Sequence, residues 1–223
     1  MRQIKELQDS LHEGTVFDNI WGKSPNGFYA VGACVDTGGY ANNPVIAHFL
    51  NGKWDMLKTD GLYGIVGHLY QNSSDNRIYL QVVGGHNYTD STTLLEYYQG
   101  EYYELYSNIW VQGLQADISL IDGQVYFVIR DTIKTRLQNQ FQTLMIVDNP
   151  NFYQKIWGRN TNDIFLMMVD GLAHFDGTDI QYVFRYGLRT QVFGAALFDQ
   201  DVFFLIYESQ TGLSLVYHGT LKK

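Results

Sequence analysis

Apolar and polar residues alternate along this chain in short runs broken by turn formers, the two-residue period of half-buried β-strands. One phrase returns five times: an apolar or aromatic triplet, a polar turn, then an apolar residue beside an aromatic one. Its clearest copies are Ile20-Trp21-Gly22 leading to Phe28-Tyr29, and Ile156-Trp157-Gly158 leading to Ile164-Phe165. The others are Ile65-Val66-Gly67 with Ile78-Tyr79, Ile109-Trp110 with Val125-Tyr126, and Val192-Phe193-Gly194 with Val202-Phe203. The copies begin at residues 20, 65, 109, 156 and 192, in steps of 45, 44, 47 and 36. A period in that range built from short strands marks a propeller or a solenoid.

Each repeat divides into about four strands. In the first, these are 16–22, 28–32, 45–50 and 53–58. Ser24-Pro25-Asn26-Gly27 turns the chain once, a long connection spans 33–44, and Asn51-Gly52 supplies the positive φ angles of a tight hairpin. In the fourth repeat, Asp170-Gly171 alone separates the second strand from the third. Similar turns are expected at Gln99-Gly100, Asp148-Asn149, Asp176-Gly177 and His218-Gly219. The 223 residues give each of five units about 45, the length of a propeller blade. The expected fold is therefore all-β: a five-bladed β-propeller of four-stranded antiparallel blades, one domain over residues 1–223. The last repeat has little room for a fourth strand. Residues 3–8 are expected to supply it and close the ring. A short helix over residues 2–12, with Ile4, Leu7 and Leu11 on one face, is the rival reading of that segment.

The run from Ile156 through Asp163-Ile164-Phe165, continuing to Leu172-Ala173-His174-Phe175-Asp176-Gly177, resembles a bacterial propeller repeat. That repeat reads I-W-G-x-S-x-N-D-V-F-x-V-G and then I-L-H-Y-D-G. Residues 20–32 with 46–54 are nearly as close. The resemblance implies an architecture shared by proteins of many roles. In overall size the chain is also similar to the tachylectin-2-like five-bladed lectins, which bind N-acetylated sugars, although it carries no sugar-binding motif of theirs.

Composition narrows the function by exclusion. Net charge is −8 with no basic stripe, so nucleic acid is not an expected partner. No run approaches the roughly 18 apolar residues of a membrane helix. Cys34 is the only cysteine, so no internal disulfide forms. The first residues, Met1-Arg2-Gln3-Ile4, lack the apolar core of a secretory leader, which makes the cytoplasm the default location and secretion after trimming the alternative. No phosphate cradle or metal-ligand spacing appears, and no cofactor is expected.

His48 and His174 occupy equivalent places before a Phe, which reads as repeat packing. Asp18, Asp117 and Glu13 are the carboxylates a glycosidase propeller would place centrally, but no paired constellation is visible and no enzyme is expected. The connections between second and third strands vary most: 33–44, roughly 84–91, and 130–139. Loops on a rigid scaffold commonly carry binding. Their Asp36, Tyr40, Asn42, His86, Asn87, Tyr88, Arg130, Asp131 and Arg136 form the expected ligand-binding set. A protein partner is the first expectation, and a glycan the alternative.

Overall fold

The computed structural model describes residues 14–35, 41–84, 91–109, 116–187 and 190–220, with the side chains of 41 and 42 excepted. They form nineteen strands in five antiparallel sheets, each a meander in which chain neighbours pair. The first sheet runs β1 (Thr15–Ser24), β2 (Gly27–Val35), β3 (Ala41–Leu50) and β4 (Lys53–Met56). The second holds β5 (Ile65–Gln71), β6 (Ile78–Val83), β7 (Ser91–Tyr98) and β8 (Glu101–Ile109). The third holds β9 (Ala116–Ile121), β10 (Gln124–Ile129), β11 (Thr132–Leu137) and β12 (Gln140–Ile146). The fourth comprises β13 (Phe152–Asn160), β14 (Asp163–Met168), β15 (Gly171–Phe175) and β16 (Ile180–Arg185). The fifth has three strands among the described residues: β17 (Thr190–Leu197), β18 (Asp201–Glu208) and β19 (Leu213–Thr220). The closing strand expected at residues 3–8 lies outside the described residues.

The chain divides into two compact units, Met1–Ile118 and Ser119–Lys223. In the first, Tyr29, Val31 and Ile46 from sheet one pack against Val66, Leu69 and Leu80 from sheet two. In the second, Tyr126, Val128 and Ile133 meet Ile156, Ile164 and Leu166, while Phe165, Met167 and Leu172 meet Val192, Phe204 and Ile206. Tyr29 on β2, Tyr126 on β10 and Phe165 on β14, each on the second strand of its sheet, thus face the next sheet of their own unit. Side chains also tie sheets together within each unit. In the first unit Asn19 Nδ2 donates to Gly67 O at 3.1 Å, and Gln81 Nε2 to Ala116 O at 2.9 Å. In the second, Ser119 Oγ donates to Ile156 O at 2.9 Å.

The recurring histidines stack across the strand pair, as repeat packing requires. His48 lies over Tyr29 at 4.2 Å, His174 against Phe165 at 4.5 Å and His218 over Phe203 at 4.5 Å. Two of them also donate to a carboxylate two residues before the aromatic: His174 Nε2 pairs with Asp163 and His218 Nε2 with Asp201, each at 2.7 Å. Sheet two keeps this geometry with the charges exchanged. Glu96 stands opposite Tyr79, and Arg77, two residues before Tyr79, donates to it at 2.8 Å. Burial alone would raise the Asp163 carboxyl, but hydrogen bonds and charge from Arg159 and His174 outweigh it and hold it below the usual carboxylate range. That contribution to stability is present above the unfolded value near 3.9 and is lost as pH falls through the lower folded value. Asp163→Asn is accordingly expected to flatten the acid limb of stability below about pH 4, read by denaturant midpoints across pH. An unchanged acid limb would remove Asp163 from that balance.

The third repeat departs from expectation in three places. Ile109 ends β8, and the first strand of the third sheet is β9, beginning at Ala116; Trp110 lies outside the described residues. Residues 130–139 are not a loop. Arg130-Asp131 is a two-residue turn into β11, and Gln138-Asn139 is a second one into β12. Arg130, Gln138 and Asn139 take φ of 56°, 48° and 65°, so tight turns form here without glycine. Asp148-Asn149 then lies in the connection from β12 to β13. His218-Gly219 is no turn either: both residues pair within β19, opposite Phe203 and Val202. The 33–44 connection shortens to residues 36–40, because Ala33 and Cys34 pair with Pro44 and Asn43.

Candidate binding face on residues 1–118

The connection from β4 to β5, residues 57–64, is held on both sides. Leu57 N donates to Ile46 O at 3.0 Å, and Thr59 Oγ1 to Pro44 O at 2.8 Å. Leu62 N closes a turn on Thr59 O at 3.0 Å, with Gly61 at φ +82° in the position where a type II turn demands it. At the far end Gly64, φ +112°, lies so close to sheet two that a Cβ would stand 2.4 Å from Val83 O.

A cavity opens on each side of this strap. The first, about 460 Å³, lies between the strap and the ends of β2 and β3, with Cys34, Asn43, Pro44 and Asp60 in its wall. The second, about 270 Å³, lies between the strap and the ends of β6 to β8, with Gly84, Ser91, Thr93 and Glu104 in its wall. Gly61, Leu62 and Tyr63 line both. Tyr63 is 47% exposed, so its ring is presented rather than buried. Thr93 Oγ1 and Ser107 Oγ, 3.0 Å apart, add hydroxyls to the second wall. Cys34 is buried, with its Sγ 3.2 Å from Thr15 Oγ1, and is a strand residue rather than the loop residue expected.

The expected site residues fall as follows. Asp36, Tyr40, His86, Asn87 and Tyr88 lie outside the described residues; Asn42 lies in β3, its side chain undescribed. Arg130 and Asp131 sit at the start of the six-residue β11 and Arg136 near its other end, so the three do not share one loop. Arg136 braces the next turn, donating to Asn139 O at 2.9 Å and lying over the Phe141 ring. The flanks of the other two connections do line cavities: Cys34 and Asn43 for the first, Gly84 and Ser91 for the second. The strap itself, with Asp60 and Tyr63, was not among the expected residues. Its signal was Thr59-Asp60-Gly61, a turn directly before a strand.

A second polar feature lies on β5 and β9. Asp117, 3% exposed in its side chain, accepts from His68 Nδ1 at 2.7 Å and from Ile118 N at 2.8 Å. In this pair the imidazole Nδ1–H donates and the carboxylate oxygen accepts. Tyr70 stacks beside His68, and burial followed by the Asp117 charge pushes its phenol well above the ordinary range. Asp117 is thus committed to hydrogen bonds, while Asp18 is exposed on β1 and Glu13 lies outside the described residues. Among the described residues no group of three or more His, Cys, Asp or Glu is placed to hold a metal ion. No helix among the described residues is long and apolar enough to cross a membrane.

No family model matches the chain, and no curated protein does. Solved structures do. The β-propeller domain of the Trilobed protease from Pyrococcus furiosus, described as having an open velcro topology, aligns with a TM-score of 0.51 at 12% identity, over 93% of this chain and 69% of that one. The fold is a five-bladed β-propeller. A prolyl endopeptidase, studied for inter-domain dynamics in catalysis and specificity, aligns with a TM-score of 0.53 at 10% identity. The match covers 92% of this chain and 34% of that one, so the propeller here spans about a third of that enzyme's length.

Proposed function

We propose that this propeller is a non-enzymatic binding module that recognises a protein partner. The observation that carries the reading is the pair of cavities sharing the Gly61–Tyr63 wall, at the end of sheets one and two where the variable connections begin. The larger falls within the 300–1,000 Å³ typical of ligand sites. The strap that separates them is fixed by backbone and side-chain hydrogen bonds, so little ordering is needed on binding. An exposed tyrosine at the centre of a mixed polar and apolar surface is the kind of residue that anchors protein contacts.

Selection of a phage-displayed protein-fragment library on the immobilised chain tests this. Enriched sequence families are expected, with retention falling about tenfold in the Leu62→Ser/Tyr63→Ala variant. A glycan array separates the other ligand class: a defined sugar bound in the array, with no fragment enriched, would replace the protein partner by a glycan.

A further inference from the structure

We infer that the two cavities take a peptide segment presenting a lysine or arginine beside an apolar side chain. This rests on the binding-module reading above and specifies its partner. Each cavity has an exposed carboxylate in its wall, Asp60 in the first and Glu104 in the second, and among the described residues neither wall contains a lysine or arginine. Beside those carboxylates each wall mixes apolar side chains with polar ones: Val45, Met56 and Leu57 with Asn43 and Thr59 in the first, Val82 and Leu95 with Thr93 and Ser107 in the second, and Leu62 in both.

Apolar side chains and an exposed carboxylate in one cavity wall suit a side chain that is part hydrocarbon and part cation. Lysine and arginine lay a hydrocarbon stem along apolar surface and keep the charged head at its edge. Asp60 or Glu104 would receive that head. An acidic segment would meet like charge in both cavities. A wholly apolar one would cover two carboxylates without giving them a partner, which carries a desolvation penalty. The shared wall sets the pattern: a basic residue in one cavity and its neighbour in the other, astride Gly61–Tyr63. The net charge of −8 draws basic segments toward the whole chain, so any test must separate the cavities from that general attraction.

The probe is a positional-scanning hexapeptide library on beads, presented to three labelled proteins at physiological salt. These are the unaltered chain, Asp60→Asn/Glu104→Gln, and the charge-matched control Asp148→Asn/Asp199→Asn. All four positions are exposed, and thermal unfolding checks that each protein is folded. Lysine or arginine is expected to be enriched at least fivefold over glutamine at one position, with an apolar residue beside it. That preference should fall below twofold in Asp60→Asn/Glu104→Gln and persist in the control. Equal loss in both variants, or an undiminished preference in both, would overturn the inference. Peptides retained with no basic preference would overturn it while leaving the binding module in place. A library that retains no peptide on any of the three proteins would remove both.

Discussion

Replacing Phe165 with alanine is expected to cost about 3–5 kcal/mol, the range for large-to-small changes of a buried aromatic. Phe165 is 6% exposed and stands where β14 meets three neighbours at once. It pairs across the sheet with Trp157 on β13 and His174 on β15, and packs edge-on against Phe204 of the fifth sheet at 5.1 Å. Removing the ring takes the common contact from all three. His174 would keep Asp163 but lose the surface against which it is held. Denaturant unfolding reads the loss directly, and a change under 1 kcal/mol would show that the inter-sheet layer is not assembled around this residue. Phe165→Leu, which retains much of the volume, should recover more than half of the loss.

Gly32→Ala is expected to be nearly as damaging, for the opposite reason. A Cβ at Gly32 would stand 2.0 Å from Val16 O and 2.9 Å from the Phe17 Cα. Both contacts are backbone, and β1 is bulged there, its register slipping between Phe17 and Asn19. No rotamer relieves the clash; β1 must move away from β2. The cost lies at the upper end of the 1–3 kcal/mol usual for overpacking, or beyond it. It outweighs the several tenths of a kcal/mol that alanine gains over glycine through the unfolded chain. Denaturant midpoints of this variant beside Phe165→Ala decide the point, and a neutral Gly32→Ala would mean that β1 does not lie against β2 at Gly32.

How much of this was legible in the sequence depended on where glycine stood. Asn51-Gly52 and Gln99-Gly100 announce their hairpins, and the strands around them fall close to expectation. In the third repeat the same backbone geometry is adopted by Arg130, Gln138 and Asn139, which carry no such signal. The chain there read as one long loop because its turns are made by residues that only tertiary pairing holds at positive φ. Ile109-Trp110 misled for a related reason: an apolar pair before a polar stretch fits the end of one sheet as well as the start of the next. The candidate site was half legible. Variable connections pointed to the ends of sheets one and two beside which the cavities lie, but cavity walls are made by what lies across from a loop. Asp60 and Glu104 are far apart in sequence and belong to no motif; pairing of β7 with β8 and the docking of the strap bring their cavities side by side.

The meander order of every sheet has a consequence for how the molecule is made. Each strand pairs with its predecessor in the chain, so each described sheet needs only a few tens of consecutive residues. Loop closure within a sheet is therefore short, and local pairing of this kind favours rapid formation. A sheet can complete its hydrogen bonds as it leaves the ribosome, before its successor has been translated. What must wait is the burial of its apolar face: Tyr29 for sheet two, Tyr126 for sheet four, Phe165 for sheet five. During synthesis the growing chain thus carries one finished sheet with one uncovered aromatic face, and a pause just after a sheet is complete is the moment at which aggregation competes most strongly with folding.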